Sequence, residues 1–199
     1  VAYPQYERKQ EDPTKLLEVK NLSKAGNYKN VSLDVRKGDI LGLTGLLGAG
    51  RTELALSIFG LNKTDSGEIC MEGKPVKISC PQDAIDLGIG LVPEERAIQG
   101  LFLQKSINEN VAAAILKRLT GFLGNIDQNK SRKLAKDAIE QFRIKVYNEE
   151  TLINTLSGGN QQKALIARWA ASHPNLCILD TPTVGIDLGS KSEIYDYIQ

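Results

Sequence analysis

The run Leu156-Ser157-Gly158-Gly159-Asn160-Gln161-Gln162 constrains this chain more than any other feature. Ser157 is a helix N-cap residue, and the two bare glycines that follow would open the first turn of a helix over Gly158 to Ala171. Such a start leaves backbone N–H groups exposed to an anion. A short apolar run, Leu176-Cys177-Ile178-Leu179, comes next and ends in Asp180. This pattern predicts a buried strand that delivers a carboxylate to a sheet edge, where α/β proteins place ligands.

Far upstream lies a glycine loop, Gly45-Leu46-Leu47-Gly48-Ala49-Gly50-Arg51-Thr52. Glycines at these positions let successive N–H groups turn inward around a phosphate, and the helix that follows adds its positive end. Thr52 is placed to offer a hydroxyl to Mg²⁺. Arg51 stands where such loops carry Lys, and a planar guanidinium does not replace a compact ammonium. After Asp180 comes Thr181, whose hydroxyl cannot act as a general base near neutral pH. A further run, Asn62-Lys63-Thr64-Asp65, matches a guanine-recognition motif but follows the loop too closely, and reads as a polar turn.

Between these motifs the chain alternates in type. Leu16 to Lys20 and Val31 to Arg36 are predicted strands around a turn at Gly26 and Asn27, and Asp39 to Thr44 is a predicted buried strand entering the glycine loop. Thr52 to Phe59 is a predicted helix closed by Gly60. Glu68 to Met71 and Pro75 to Ile78 form a predicted hairpin, Pro81 to Leu87 a short helix and Ile89 to Val92 a core strand. From about Ile107 to Phe142 the apolar spacing is helical, and Ser190 to Ile198 reads as a last helix without a stop signal. Residues 1–14, with Pro4 and Pro13, read as a linker or arm. The whole is an α/β chain with a small antiparallel sheet and a helical insertion.

Composition narrows the classes. The 199 residues carry 25 Lys and Arg against 24 Asp and Glu, a net charge of +1, which offers no electrostatic footprint for nucleic acid. Cys70, Cys80 and Cys177 lack metal-ligand spacing and read as reduced thiols. The uncharged stretch Ile40 to Gly50 falls short of the ~18–20 apolar residues of a membrane helix. No signal-peptide pattern precedes it, so any work at a membrane is expected to be that of a peripheral subunit.

Taken in order, the glycine loop, the Leu-Ser-Gly-Gly run and the Asp-terminated strand resemble the nucleotide-binding domain of ABC transporters. The resemblance covers Leu16 to Gln199 and implies a P-loop ATPase fold of the ABC type, with a mixed or parallel core sheet, an antiparallel β subdomain and a helical subdomain at about 96–165. It implies ATP and Mg²⁺ as cofactors. Gly45, Leu46, Leu47, Gly48, Ala49, Gly50, Arg51 and Thr52 would bind the phosphates, with Thr52 and Asp180 on the metal. Ser157, Gly158 and Gly159 would face nucleotide held by another such domain. Glu94, in Val92-Pro93-Glu94-Glu95-Arg96, takes the place of the family's loop glutamine, a catalytic and metal candidate. The family's catalytic Glu is replaced by Thr181, so this half-site is expected to hydrolyse poorly.

More narrowly, Arg51, the Thr44-to-Leu54 form of the loop, the Pro-Glu-Glu-Arg sequence and the charged N-terminus are similar to the second of two fused domains in ribose/galactose-type sugar importers. Partners implied are a second ATPase domain, transmembrane permease subunits and, indirectly, a solute-binding protein, at the cytoplasmic face of the membrane. On this resemblance the domain looks cut short at Gln199, before the family's switch histidine. His173 reads as a surface-turn residue; the aromatic that stacks adenine in the family has no clear match, Tyr28 being a candidate substitute. A nucleoside importer, a silent regulatory domain and a soluble ATPase acting on DNA or ribosomes are the alternatives, the last disfavoured by the neutral charge.

Overall fold

In the computed structural model, residues 14–121 and 124–198 are described. The expected arm at 1–14 therefore lies almost wholly outside the described residues. The described chain divides into two compact units: residues 14–91 with 174–178, and residues 92–173 with 179–198.

The first unit is organised by β1 (Lys15–Lys24), the second strand of a four-stranded antiparallel sheet ordered β2-β1-β3-β4. Alternation in β1 lines up apolar rows across the sheet. Leu17 pairs with Val35 of β2 (Tyr28–Arg36) and with Met71 of β3 (Ser66–Met71), and Val19 pairs with Leu33 and Ile69. Cross-strand pairs of this kind are the unit of sheet stabilisation. β4 (Lys74–Val76) closes a hairpin on β3, as the Gly73 turn predicts. The helix α1 (Arg51–Ile58) follows the glycine loop and buries Leu54, Ala55 and Ile58; Gly60 ends it at φ +80°. The short helix α2 (Pro81–Asp86) has Pro at its start, where a missing N–H costs nothing.

Two strands, β5 (Ile89–Val92) and β6 (Leu176–Leu179), form a second sheet. The Leu176 N–H donates to Gly88 O at 3.1 Å and Asp180 N–H to Val92 O at 2.9 Å, so the strands advance together and the pair is parallel.

The second unit is mostly helical. It comprises α3 (Ile107–Ala112), a 3₁₀ turn at Ala113–Ile115, the single turn α4 (Leu116–Leu119), α5 (Gln128–Gln141), α6 (Gly158–Ser172) and α7 (Leu188–Ile198). α3 packs on both α5 and α6, with Ile107, Val111, Ala135, Ala138, Ala164 and Leu165 buried. The helix starts are capped as their sequences suggest. Ser106 and Glu109 make a reciprocal capping box at α3, and Asp127 accepts from the Asn129 and Lys130 N–H groups at α5.

Three expectations need correction. Asp39 to Thr44 joins neither sheet, and Ile40, Leu41 and Leu43 are 50%, 46% and 48% exposed. An apolar run specifies a buried strand only where a neighbour accepts its backbone groups, and neither sheet supplies one. β6 exists as predicted, but it is half-covered and Cys177 is exposed. The helical stretch from Ile107 to Phe142 is broken: Thr120 leaves the helix at ψ 124° and α5 restarts only after Asp127. Gly121 and Gly124 lie in that gap, where glycine favours a turn over a helix.

Candidate functional site

The glycine loop belongs to the first unit. Its segment 46–49 closes as a turn, with the Ala49 N–H donating to Leu46 O at 3.1 Å, and Gly48 and Gly50 sit at φ +78° and +80°. Left-handed backbone at both positions suits glycine and no β-branched residue. Gly50 is also held tightly, since a Cβ there would stand 2.5 Å from Asn27 O and 3.2 Å from the Tyr28 Cβ. Leu46 and Leu47 are exposed, so the loop turns its face outward. Thr52 lies in the first turn of α1 and is half-buried.

Tyr28 is half-buried beside the Gly50 turn, with its hydroxyl covered and burial raising its pKa. The Asn62-to-Asp65 run is a polar turn, as expected. The Asp65 carboxylate accepts from the Ala25 N–H at 2.6 Å, and Lys24 Nζ donates to Lys63 O at 2.8 Å. Its polar groups fasten it to the β1–β2 hairpin.

The second unit gathers the other candidates. Ser157 caps α6, its Oγ accepting from the Asn160 N–H at 3.5 Å and from Asn160 Nδ2 at 3.0 Å. The next two positions are crowded. A Cβ on Gly158 would meet Arg96 Nη2 at 2.7 Å and Gly185 O at 3.1 Å, and one on Gly159 would meet Ser190 Oγ at 2.3 Å. The two glycines therefore permit close packing, and Gly159 is buried. Asp187 caps α7, accepting from the Ser190 N–H at 2.9 Å and Ser190 Oγ at 2.8 Å, and these bonds hold its carboxyl below the usual range.

Asp180 follows β6 and is half-buried. No hydrogen bond or ion pair among the described residues engages its carboxylate, or that of the exposed Glu94. Thr181 is exposed at φ +44°. A β-branched residue in left-handed backbone costs about 1–3 kcal/mol. Among the described residues no group of three or more His, Cys, Asp or Glu could hold a metal by itself. Mg²⁺ asks for less: one or two carboxylates, a hydroxyl, phosphate and water.

The run Ser106 to Asn110 does structural work. Asn110 Nδ2 donates to Ser106 O at 2.9 Å and to Phe102 O at 3.0 Å, and its Oδ1 accepts from Arg168 Nη2 at 2.7 Å. The Arg168 guanidinium also donates to Asn110 O and Gly100 O, and burial pushes it down to about 10. His173 closes α6 in left-handed backbone, φ +50°, ahead of Pro174. Arg96 was singled out by no sequence signal beyond its place in the Pro-Glu-Glu-Arg run, yet it meets Gly158 and the loop after Asp180. No helix among the described residues is long and apolar enough to cross a membrane.

Comparison with known proteins agrees with this geometry. A family model described as ABC transporter matches residues 28–184. A relative from Pseudomonas syringae pv. tomato, whose name provisionally assigns it to ribose/galactose/methyl galactoside import as an ATP-binding protein, is 46% identical over 98% of this chain and 37% of its own length. A ribose import ATP-binding protein of Clostridium tetani is 44% identical over 92% of this chain and 36% of its own length. The chain thus spans little more than a third of these relatives. A solved dimeric, post-hydrolysis ATP-binding cassette bound to ADP and Pi superposes with a TM-score of 0.75 at 24% identity, over 92% of this chain and 81% of that one. The fold is that of an ATP-binding cassette, and the chain belongs to the ABC transporter family.

Proposed function

We propose that this chain is the ATP-binding, energy-coupling domain of an importer for a monosaccharide-like carbohydrate. In this reading it works at the cytoplasmic face of a membrane beside a second ATPase domain and permease subunits, with a solute-binding protein supplying the cargo. The similarity of nearly the whole chain to import ATP-binding proteins supports the transport role.

The start of α6 carries the division of labour. Ser157, Gly158 and Gly159 open α6, and the N-terminus of a helix suits phosphate held by the partner domain. The chain's own half-site has Arg51 in the glycine loop and Thr181 after Asp180. Gly45 to Thr52 would cradle the phosphates. Thr52, Asp180 and Glu94 are the Mg²⁺ candidates, and bound Mg²⁺ would neutralise charge on the β- and γ-phosphates. Thr181 offers no carboxylate to take a proton from water, so the usual ~10²–10⁴-fold general-base contribution is lost at this site. The larger contribution of the chain is then to its partner's site.

Steady-state ATPase of the full-length protein with its membrane partners tests this asymmetry. Gly158→Asp, which sets a carboxylate against the phosphate, should nearly abolish turnover, whereas Arg51→Ala should be much milder. A melting curve accompanies each variant, because a side chain at 158 also meets Arg96 and Gly185. Equal losses, or a larger loss from Arg51→Ala, would sink the asymmetric reading.

A further inference from the structure

Arg96 has no role in the reading above, yet three segments of the second unit converge on its side chain. Arg96 opens a single π-turn, Arg96–Gly100, immediately after Glu94 and Glu95. Its Nη1 donates to Val184 O at 2.9 Å and its Nη2 to Gly185 O at 3.4 Å, in the loop that follows Asp180 and Thr181. The same Nη2 is the atom that a Cβ on Gly158 would meet at 2.7 Å. Its Nε is buried without a partner, a cost the fold accepts to keep the guanidinium in this place.

A planar fork that addresses two successive carbonyls while one of its nitrogens lies beside a bare glycine is a geometry an ammonium does not supply. Remove it, and the Val184–Gly185 loop loses both side-chain donors while the first turn of α6 loses the surface it rests on. We propose that Arg96 is a positioning residue that holds the start of α6 and the loop after Asp180 in one register, so that Ser157, Gly158 and Gly159 meet the partner's nucleotide correctly. The inference rests on the reading of Ser157, Gly158 and Gly159 given under Proposed function. It also accounts for the glycine at 158: the guanidinium occupies the space of a side chain there.

A residue that only fastens a loop would change stability. One that sets the geometry of an interaction made on closure changes kcat with KM nearly unmoved. The experiment is steady-state ATPase of the full-length transporter carrying Arg96→Gln or Arg96→Lys, with melting curves of each. Arg96→Gln is expected to lower kcat by about 10–100-fold, within the range for loss of a preorganised donor set, with KM shifted less than about threefold. Arg96→Lys should recover part of kcat, since an ammonium still reaches one carbonyl. Wild-type kcat in Arg96→Gln, a change confined to KM, or a loss that tracks melting and is not relieved by Lys would overturn the inference. If the wild-type protein itself turns over no ATP, the functional reading fails instead, and the two failures are told apart.

Discussion

The ammonium of Lys163, on α6, is paired with the carboxylate of Glu193 on α7 and also donates to Arg143 O at 3.2 Å. Lys163 is 2% exposed, so a charge is carried inside the helix that begins with the signature. Burying it without a partner would be costly. The pair is therefore a joint between two helices, with Glu193 at the half-exposed end.

Breaking that joint from one side should hurt more than removing it whole. Glu193→Ala should destabilise the chain by about 1–3 kcal/mol, below the usual cost for a fully buried pair because Glu193 reaches solvent. In a Lys163→Met background, Glu193→Ala should cost much less. Urea denaturation of the four variants reads the coupling, and strict additivity would show that the pair contributes nothing.

Thr181 combines a chemical and a conformational anomaly. Thr181→Gly should raise stability by roughly 0.5–1 kcal/mol, because relief of left-handed strain exceeds the chain entropy that glycine adds. Thr181→Glu should raise ATP turnover in the full-length protein and leave the isolated domain unchanged, as follows from the pairing with a second ATPase domain proposed above. An unmoved melting temperature for Thr181→Gly would show that the backbone is not strained there. Unchanged turnover for Thr181→Glu would make Arg51 or the partner's signature the limiting defect.

Gly159 is the tighter of the two signature glycines. Gly159→Ala places a methyl 2.3 Å from Ser190 Oγ and 2.8 Å from Ser190 Cβ, and one of α6 or α7 must yield. Overpacking of this kind costs about 1–3 kcal/mol. Ser190→Gly removes both clashing atoms and should rescue much of the loss in the double variant, as measured by chemical denaturation. Without rescue, the α6–α7 contact is not what demands glycine.

Acid should expose the cluster on β1. Hydrogen bonds from Lys15 and then Lys20 lower the Glu18 carboxyl from 4.5 to about 2. A depressed folded-state pKa contributes stability that is present above pH 4.5 and lost as pH falls toward 2. The melting temperature of Glu18→Gln should therefore fall less steeply than that of wild type across this window, and high salt should shrink the difference because the group is exposed. Parallel curves would mean that the lysines do not hold the charge.

What could be read from the residues was mostly local. Ser157 ahead of two glycines marks a helix start, because capping is written within a few residues. The hairpin at Gly73, the core strand at Ile89 and the turn at Asn62 follow from the same short-range chemistry. Contacts made across long separations were not legible. Nothing near Arg96 in sequence indicates that it will bond Val184, and nothing beside Gly159 points to Ser190. The strand expected at Asp39 to Thr44 failed for a related reason: apolar residues declare a wish for burial but do not name the neighbour that grants it.

That unsheltered segment also shapes how the chain behaves as a substance. Ile40, Leu41 and Leu43 place greasy side chains in water on a stretch of main chain that belongs to neither sheet. A charge placed there, as in Leu41→Lys, therefore gives up far less burial than the same change at Leu17 or Val19, which are 2% and 1% exposed.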